Sequence, residues 1–311
     1  MFKKNIVILL SDVIACLNFI LKKSLAFLGL KRPISLRILV YHSVSSESFY
    51  KDLGESNVSV DMFREQMRYL KKKFKKIVSL TEGVDCLRKS ELGQDFIVIT
   101  FDDGMADVYE EAIGVLEDLK IPAIFFIVYK YADSDDGRFM DWSKVSSLKE
   151  RGFEIGFHSY SHKRLAPLND DELKEEVTQG KKRFEENGMS VEYFAYPYGF
   201  YGDFSSRTEK VVKDAGFKAS LTSVMGDNLQ GRDPFELRRT RVSWRDTPLR
   251  FKMKMEGSYD WVDTLKDMFQ RLASPSKEVG SHAPGPSRSF AKDASLVLYK
   301  KCQFDNLLSR G

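Results

Sequence analysis

The feature that most constrains the fold is an alternation of strand-like and helix-like segments, which begins near residue 35. Short apolar runs rich in β-branched and aromatic residues predict strands. Between them, apolar residues recur at helical spacing, as in Phe63, Met67 and Leu70. The predicted strands are residues 37–41, 96–101, 123–128, 154–157, 193–195 and 218–222. Strands that alternate with helices predict a parallel sheet with helical crossovers, the α/β class.

The length of 311 residues allows one large barrel of about 200 to 250 residues with an extension at each end. We expect an amphipathic N-terminal helix in residues 1–33, a barrel in residues 34–262, and a helical or irregular tail in residues 263–311. The tail contains His282 in a stretch rich in Ser, Pro and Gly, so we interpret this histidine as solvated. Lysine and arginine number 49 against 45 acidic residues, which argues against nucleic acid as a partner.

The pattern of polar and apolar residues in the segment 4–30 predicts an amphipathic helix that contacts a membrane surface. Lys4, Ser11, Asn18 and Lys22 fall on one stripe of the helix, and apolar residues fill most of the remainder. Polar residues interrupt the segment before it reaches the ~20 apolar residues of a spanning helix. We expect no signal peptide, because the apolar core is short and no small-residue cleavage site follows. Two alternatives stay open: a helix packed on the barrel or a partner, and a lipoprotein box in "VIAC", residues 13–16.

Two motifs at predicted strand ends indicate a metal site. The strand in "VITFDDG" ends in Asp102 and Asp103, and the strand in "EIGFHSYSH" is followed by His158 and His162. A spacing of four residues predicts a helical turn that places both imidazoles on one side. Two imidazoles and one carboxylate commonly hold a catalytic divalent metal with open positions. The second aspartate is then free to act as a general base.

Two further segments offer candidate groups for substrate and proton transfer. "YFAYPYGFYG", residues 193–202, predicts a shaped loop whose rings can stack on sugars and whose turn can offer an N–H to an oxyanion. The candidate substrate-binding residues in this loop are Tyr196, Pro197, Tyr198, Phe200 and Tyr201. His42 ends the first strand in "ILVYHSV" and is a candidate proton donor, with a structural role as the alternative.

The motifs "TFDDG", "HSYSH" and "YPYG", in this order, resemble those of the polysaccharide deacetylase family, also called carbohydrate esterase family 4. The resemblance spans residues 35–259 and implies a distorted (β/α)7 barrel with its site at the carboxyl ends of the strands. It implies that Asp102 is the general base and that Tyr198 offers its backbone N–H to the oxyanion. The implied metal ligands are Asp103, His158 and His162. The metal implied first is Zn²⁺, with Co²⁺, Ni²⁺ and Mn²⁺ as alternatives.

The sequence departs from the family pattern at two places. Many members have an arginine where this chain has Ala195, and the late Leu-x-His motif of the usual general acid is absent. A subgroup carries Tyr-His at the first strand, and this resemblance implies that His42 is the acid. Arg239, in "LRRTRVSW", is a candidate to replace the missing arginine and to contact substrate.

These observations predict a metal-dependent hydrolase that removes an N-acetyl group from an amino sugar of a polysaccharide or lipid-linked glycan. Two alternatives stay open: a deformylase or other amidohydrolase of a lipid-linked amino sugar, and a catalytically silent carbohydrate-binding homologue. The three cysteines, Cys16, Cys86 and Cys302, are scattered, which favours a reducing compartment. With the amphipathic helix, this predicts a cytoplasmic enzyme peripheral to the inner membrane.

Overall fold

One parallel sheet dominates the computed structural model, which describes residues 2–30, 32–45, 57–263 and 265. Within these residues the sheet has eight strands, and their order is β10–β1–β5–β6–β7–β8–β9, with β4 also paired to β5. The strands are β1 (Leu36–Tyr41), β4 (Lys76–Ile77), β5 (Phe96–Phe101), β6 (Ala123–Ile127), β7 (Glu154–Phe157), β8 (Tyr193–Ala195), β9 (Ala219–Leu221) and β10 (Thr240–Arg241). A separate parallel pair is formed by β2 (Ser43–Val44) and β3 (Asn57–Val58).

Side chains along the strands alternate between two apolar cores. In β5, Ile97 and Ile99 join the larger core under the surrounding helices, whereas Phe96 and Val98 join the smaller core inside the curled sheet. Successive strand residues point to opposite faces. The inner row of β5 therefore continues from Val98 through Thr100 to Asp102.

Residues 237–242 close the curled sheet between its two end strands. Leu237 bridges Leu221 of β9 in parallel, and its N–H donates to the carbonyl of Ser220 at 3.0 Å. A few residues later β10 pairs with β1, where Thr240 lies opposite Leu39. This closure gives the distorted barrel that the sequence predicts, and the fold expectation is confirmed.

Helices cover the barrel, and short polar side chains begin many of them. The helices are α1 (Phe2–Phe27), α2 (Val60–Lys73), α3 (Leu80–Lys89), α4 (Ile113–Asp118), α5 (Tyr129–Ala132), α6 (Trp142–Glu150), α7 (Asp170–Lys174), α8 (Gly180–Glu186), α9 (Ser206–Asp214) and α10 (Pro248–Met255). Asn169 and Ser205 form capping boxes, which satisfy N–H groups of the first turn. One-turn π-helical segments, Val108–Ala112 and Glu175–Gln179, adjoin α4 and join α7 to α8.

The N-terminal helix α1 packs on the barrel through its polar side. Asp12 accepts a hydrogen bond from the Tyr259 hydroxyl at 2.8 Å, and Lys22 Nζ donates to the Gly257 carbonyl at 2.8 Å. The exposed apolar side chains of α1 are Leu9, Leu10, Val13, Ile14, Leu17, Ile20, Leu21, Leu25 and Phe27. Helices of globular proteins usually turn their apolar stripe to the core, so α1 is reversed. Among the described helices, none is long and apolar enough to cross a membrane.

The predicted division into residues 1–33, 34–262 and 263–311 stays a prediction. Nearly all of the predicted tail, with His282, lies outside the described residues.

Candidate active site

The candidate residues converge at the carboxyl edge of the sheet because each follows one of its neighbouring strands. His42 follows β1, Asp102 and Asp103 follow β5, His158 follows β7, and Tyr198 lies in the loop after β8. In a parallel sheet all these ends lie on the same edge. The strand order therefore assembles motifs that are far apart in the sequence.

Asp103, His158 and His162 form a group that fits a metal ion. One ligand atom from each lies within 4.8 Å of the other two. Asp103 Oδ1 is 3.4 Å from His158 Nε2 and 3.2 Å from His162 Nε2. This oxygen is buried and has no hydrogen-bond partner among the described residues, although buried polar atoms are normally paired. An unpaired carboxylate oxygen facing two imidazole nitrogens is the donor set of a divalent cation site.

The orientation of His158 is set by a backbone carbonyl. His158 Nδ1 lies 2.8 Å from the carbonyl oxygen of Ala195, which can only accept a hydrogen bond. Nδ1 therefore carries a proton, and in the neutral ring the lone pair is on Nε2, which faces Asp103. A partner of this kind is usual for a histidine that binds a metal. Ala195 thus contributes to the candidate metal site through its main-chain carbonyl, which orients His158.

The predicted helical turn between His158 and His162 is wrong. The segment is an irregular loop in which Ser159 and His162 have φ values of 69° and 61°. The Ser159 hydroxyl accepts a hydrogen bond from the His162 N–H at 2.9 Å, which closes the turn. The two imidazoles converge, with ring centroids 4.9 Å apart, because of this left-handed turn.

Left-handed backbone recurs around the candidate metal site. Asp103 has φ 70° and Tyr198 has φ 60°, in addition to Ser159 and His162. Such conformations are unfavourable for residues with a Cβ atom, and they concentrate at functional sites.

Asp102 is paired with Arg239 in the barrel interior. Both carboxylate oxygens accept hydrogen bonds from the guanidinium at 2.7 Å, and Arg239 Nε donates to the Thr222 carbonyl at 2.7 Å. Arg239 and Asp102 are 0% and 2% exposed as side chains. Burial would raise the pKa of Asp102, but the charge and hydrogen bonds of Arg239, together with the nearby His158 and His42, outweigh it and hold the pKa below its ordinary value. Asp102 is therefore an ionised carboxylate beside the candidate metal ligands.

Three of the predicted substrate-binding residues are buried and cannot form a sugar platform. Arg239 lies beneath Asp102 with no exposed surface. Tyr196 is also fully buried, with its ring stacked on Phe204 at 4.9 Å and its hydroxyl donating to the Phe235 carbonyl. Pro197 is buried beside it. Tyr196 points outward from the barrel because it alternates with Ala195, which faces the interior.

His42 adjoins Asp102 across the β1–β5 pair, where the Asp102 N–H donates to the Tyr41 carbonyl at 2.9 Å. His42 Nδ1 is buried and has no hydrogen-bond partner among the described residues. Burial lowers the pKa of His42, and the nearby charges of Asp103 and Asp102 counteract this in part. His42 is therefore mainly neutral at pH 7 in the free protein.

Tyr198 and Phe200 form the exposed rim of the site. The Tyr198 ring is 42% exposed and lies between the His162 ring, at 4.9 Å, and the Arg164 guanidinium, at 3.9 Å. The Tyr198 N–H makes no hydrogen bond within the described residues. Phe200 is 40% exposed beneath the Arg241 guanidinium. Of the aromatic candidates, these two and the half-buried Tyr201 can meet a ligand.

Two residues at the site were not predicted from the sequence. Arg164 covers Tyr198 and forms an ion pair with Asp203, and its place just after "HSYSH" was the available signal. Tyr131 stacks on Phe139 at 4.1 Å and lies 6.0 Å from the His162 ring. Burial raises the pKa of Tyr131 to about 12, so its hydroxyl is protonated at neutral pH. Tyr131 follows β6, a strand end that carries no motif.

Comparisons with known proteins agree with this fold. Residues 89–220 match the family model described as polysaccharide deacetylase. A poly-β-1,6-N-acetyl-D-glucosamine N-deacetylase of Staphylococcus aureus is 26% identical over 203 residues, which cover 58% of this chain and 69% of that protein. The structure of IcaB from Ammonifex degensii superimposes with a TM-score of 0.63 at 27% identity, covering 74% of this chain and 98% of that one.

A second solved structure supports the fold. The Streptococcus pyogenes deacetylase PplD, in complex with acetate, has a TM-score of 0.65 at 21% identity, and the match covers 72% of this chain and 99% of PplD. The ordered motifs, the curled parallel sheet and these similarities lead to one conclusion: the chain is similar to polysaccharide deacetylases, and residues 89–220 match the model of that family.

Proposed function

We propose that this protein hydrolyses the N-acetyl group of an amino sugar in a polysaccharide or lipid-linked glycan. The observation that carries the proposal is an ionised, buried Asp102 beside the Asp103, His158 and His162 group. The similarity to an N-acetylglucosamine polymer deacetylase supports an acetylated amino sugar as the substrate class.

We infer that Asp103, His158 and His162 hold a divalent cation, with Zn²⁺ as the first candidate and Co²⁺, Ni²⁺ or Mn²⁺ as alternatives. Burial would raise the pKa of Asp103, but the two imidazoles hold it well below its ordinary value, so the carboxylate is ready to bind a cation. A cation bound there supplies Lewis acidity toward the amide carbonyl and lowers the pKa of a water.

The side chains around this group provide the proton transfers. Asp102 accepts a proton from the attacking water, and Arg239 keeps the carboxylate charged and fixed in orientation. The unpaired Tyr198 N–H donates to the oxyanion of the tetrahedral intermediate. His42 delivers a proton to the nitrogen as the C–N bond breaks, and acetate and a free amine leave. Because His42 is mainly neutral in the free protein, it takes up this proton from solvent after substrate binds and before the C–N bond breaks.

The experiment that tests the proposal measures acetate release from an N-acetylglucosamine oligomer, together with metal content, with and without a chelator. We expect release by the wild type, loss of release after chelation, and recovery on adding Zn²⁺. His158→Ala should bind no metal and release no acetate. A protein that releases acetate equally well without metal would contradict the proposal.

Two alternatives from the sequence are resolved by the same assay. A deformylase would prefer an N-formyl over an N-acetyl amino sugar at equal concentration. A silent binding protein is favoured by the missing arginine at Ala195 and by the absent late Leu-x-His motif. Arg239, just before β10, pairs with Asp102 and weakens the first of these two arguments. Metal binding with sugar binding and no hydrolysis of either acyl group would support the silent protein.

We also propose that α1 places the enzyme at a membrane surface, with the inner face of the cytoplasmic membrane as the expected location. Its polar residues are used in contacts with the barrel, and its exposed apolar side chains cover about half of the helix circumference. An apolar face of this width suits insertion into the headgroup region of a bilayer.

Sedimentation with vesicles of phosphatidylglycerol and phosphatidylethanolamine tests this placement. Leu17→Gln with Leu21→Gln should abolish sedimentation, because both leucines are exposed on the apolar face. Leu229→Gln is the matched control, since Leu229 is an exposed leucine outside α1. If the α1 double variant sediments with the vesicles as fully as Leu229→Gln, α1 is not the segment that contacts the membrane.

A further inference from the structure

The π-helical turn Glu175–Gln179, between α7 and α8, carries a buried acid that faces the histidine loop. Glu176 is 1% exposed, and burial this deep is rare for a carboxylate. It forms a long ion pair with Lys163, whose Nζ lies 3.7 Å from Glu176 Oε1 on a side chain that is 55% exposed. π-turns of this kind often occur at functional sites.

Glu176 binds the loop between His158 and His162 at three points. Its Oε2 accepts a hydrogen bond from the Ser161 N–H at 2.8 Å, and its Oε1 accepts one from the Ser161 hydroxyl. Its main-chain carbonyl accepts from the Tyr160 N–H at 3.0 Å. Side chain and backbone of one residue thus hold two consecutive loop residues.

The π-helical turn packs closely against the loop between His158 and His162, so neither segment has room to shift. Gly180 begins α8 directly after the turn, and a Cβ atom there would lie 2.9 Å from Tyr160 Cβ and 2.9 Å from the Phe157 ring. The absence of a side chain at Gly180 lets the turn approach the loop closely enough for Glu176 to reach Ser161.

The two histidines are held in different ways. The His158 ring is fixed directly by the Ala195 carbonyl. The polar contact of the His162 ring is with the other candidate ligand, Asp103, whose Oδ1 lies 3.2 Å from His162 Nε2. The position of the ring otherwise depends on the loop backbone and on ring contacts with Tyr198 and Tyr131. His162 itself has a left-handed backbone, which must be maintained by its surroundings.

We propose that Glu176 is a positioning residue that holds His162 in place for the cation. The inference rests on the proposed metal site and adds a residue that touches neither metal nor substrate. Outer partners of metal-binding groups commonly contribute 10- to 100-fold to metal affinity, as an order of magnitude.

The test compares Co²⁺ binding to the metal-free wild type and three full-length variants, by calorimetry and by the absorption of bound Co²⁺. Glu176→Ala leaves the Ser161 N–H unpaired and should weaken Co²⁺ binding by about 10- to 100-fold. Glu176→Gln should stay within about threefold of the wild type, because its amide oxygen accepts from the Ser161 N–H while its NH₂ donates to the hydroxyl. Glu175→Ala, on the same turn, is the matched control and should bind like the wild type.

Thermal melts of the metal-free proteins separate positioning from folding, and Ser161→Ala provides a second variant if Glu176→Ala does not fold. Ser161→Ala removes one of the two carboxylate contacts and should weaken Co²⁺ binding by a smaller factor, about threefold to tenfold. Wild-type Co²⁺ affinity in both Ser161→Ala and a folded Glu176→Ala would overturn the positioning role of Glu176 and leave the metal site in place. A wild type that binds no Co²⁺ would overturn the metal site and this inference together.

Discussion

Arg239 illustrates how one buried side chain determines the charge of another. It supplies the positive charge next to Asp102, and the depressed pKa of Asp102 contributes stability above about pH 4 that is lost as pH falls through the folded pKa. In Arg239→Met, burial is opposed only by the nearby histidines His158 and His42, and the pKa of Asp102 rises. We expect a loss of about 3 to 5 kcal/mol of stability at pH 7.

The measurements for Arg239→Met are urea unfolding and the pH dependence of kcat/KM. The acid limb should move to higher pH, because a larger fraction of Asp102 is protonated and cannot act as a base. Asp102→Asn is the companion variant, which should keep metal and slow hydrolysis by about 10² to 10⁴. An unchanged acid limb in Arg239→Met would show that Asp102 is not the titrating base.

The pKa of Asp107 is shifted in the opposite direction to that of Asp102. Burial raises the pKa of Asp107 to about 6, although its hydrogen bond from the Ser43 hydroxyl acts in the other direction. The folded state therefore binds the proton more tightly, and stability is lost as pH rises from about 4 to 6. Asp107→Asn should be more stable than the wild type at pH 8, by up to about 3 kcal/mol, and equal to it below pH 4. Urea unfolding across this range checks the sign.

The chemical roles of residues were more predictable than their burial. The motifs gave Asp102, Asp103, His158 and His162, which the structure brings together, because strand ends in a parallel sheet converge. The burial of Tyr196 was not predicted, since it depends on whether a residue at the end of β8 faces inward or outward. A one-residue change of phase reverses that direction.

Strand β7 depends on a glycine in the barrel interior. A Cβ atom on Gly156 would lie 2.4 Å from the Phe126 ring, which fills the space next to it on β6. Gly156→Ala should destabilise the protein by about 1 to 3 kcal/mol, because the packed interior cannot expand. Gly114→Ala in α4 is the control, with open space around it, and should stabilise by about 0.5 to 1 kcal/mol. Urea unfolding of both variants provides the comparison.

Strands of three or more residues were predicted closely, whereas strands of two residues were missed. The bounds predicted for β5, β7 and β8 agree with the structure, because each is made mostly of buried apolar residues. β4 and β10 have two residues each, too few for any periodicity to show. The loop from His158 to His162 was predicted as helical because spacing alone does not reveal a left-handed turn.

We expect the barrel to bind the metal and the N-terminal helix to contact the membrane, independently of each other. None of the described contacts at the metal group comes from α1, which binds the barrel near Gly257 and Tyr259. A chain without residues 1–30 should therefore keep the Co²⁺ affinity of the full chain within about twofold, the scatter expected for a distant site. It should lose sedimentation with vesicles. Loss of metal binding on truncation would show that α1 supports the site.

The closing segment, residues 237–242, links catalytic competence to the order in which the chain is made. The three candidate metal ligands lie between residues 103 and 162, whereas Arg239 leaves the ribosome much later. A nascent chain that ends before Arg239 lacks the guanidinium that pairs with both oxygens of Asp102. We therefore expect hydrolytic activity to begin only when residues 237–242 dock, so that the onset of activity reports the completion of folding in a growing polypeptide.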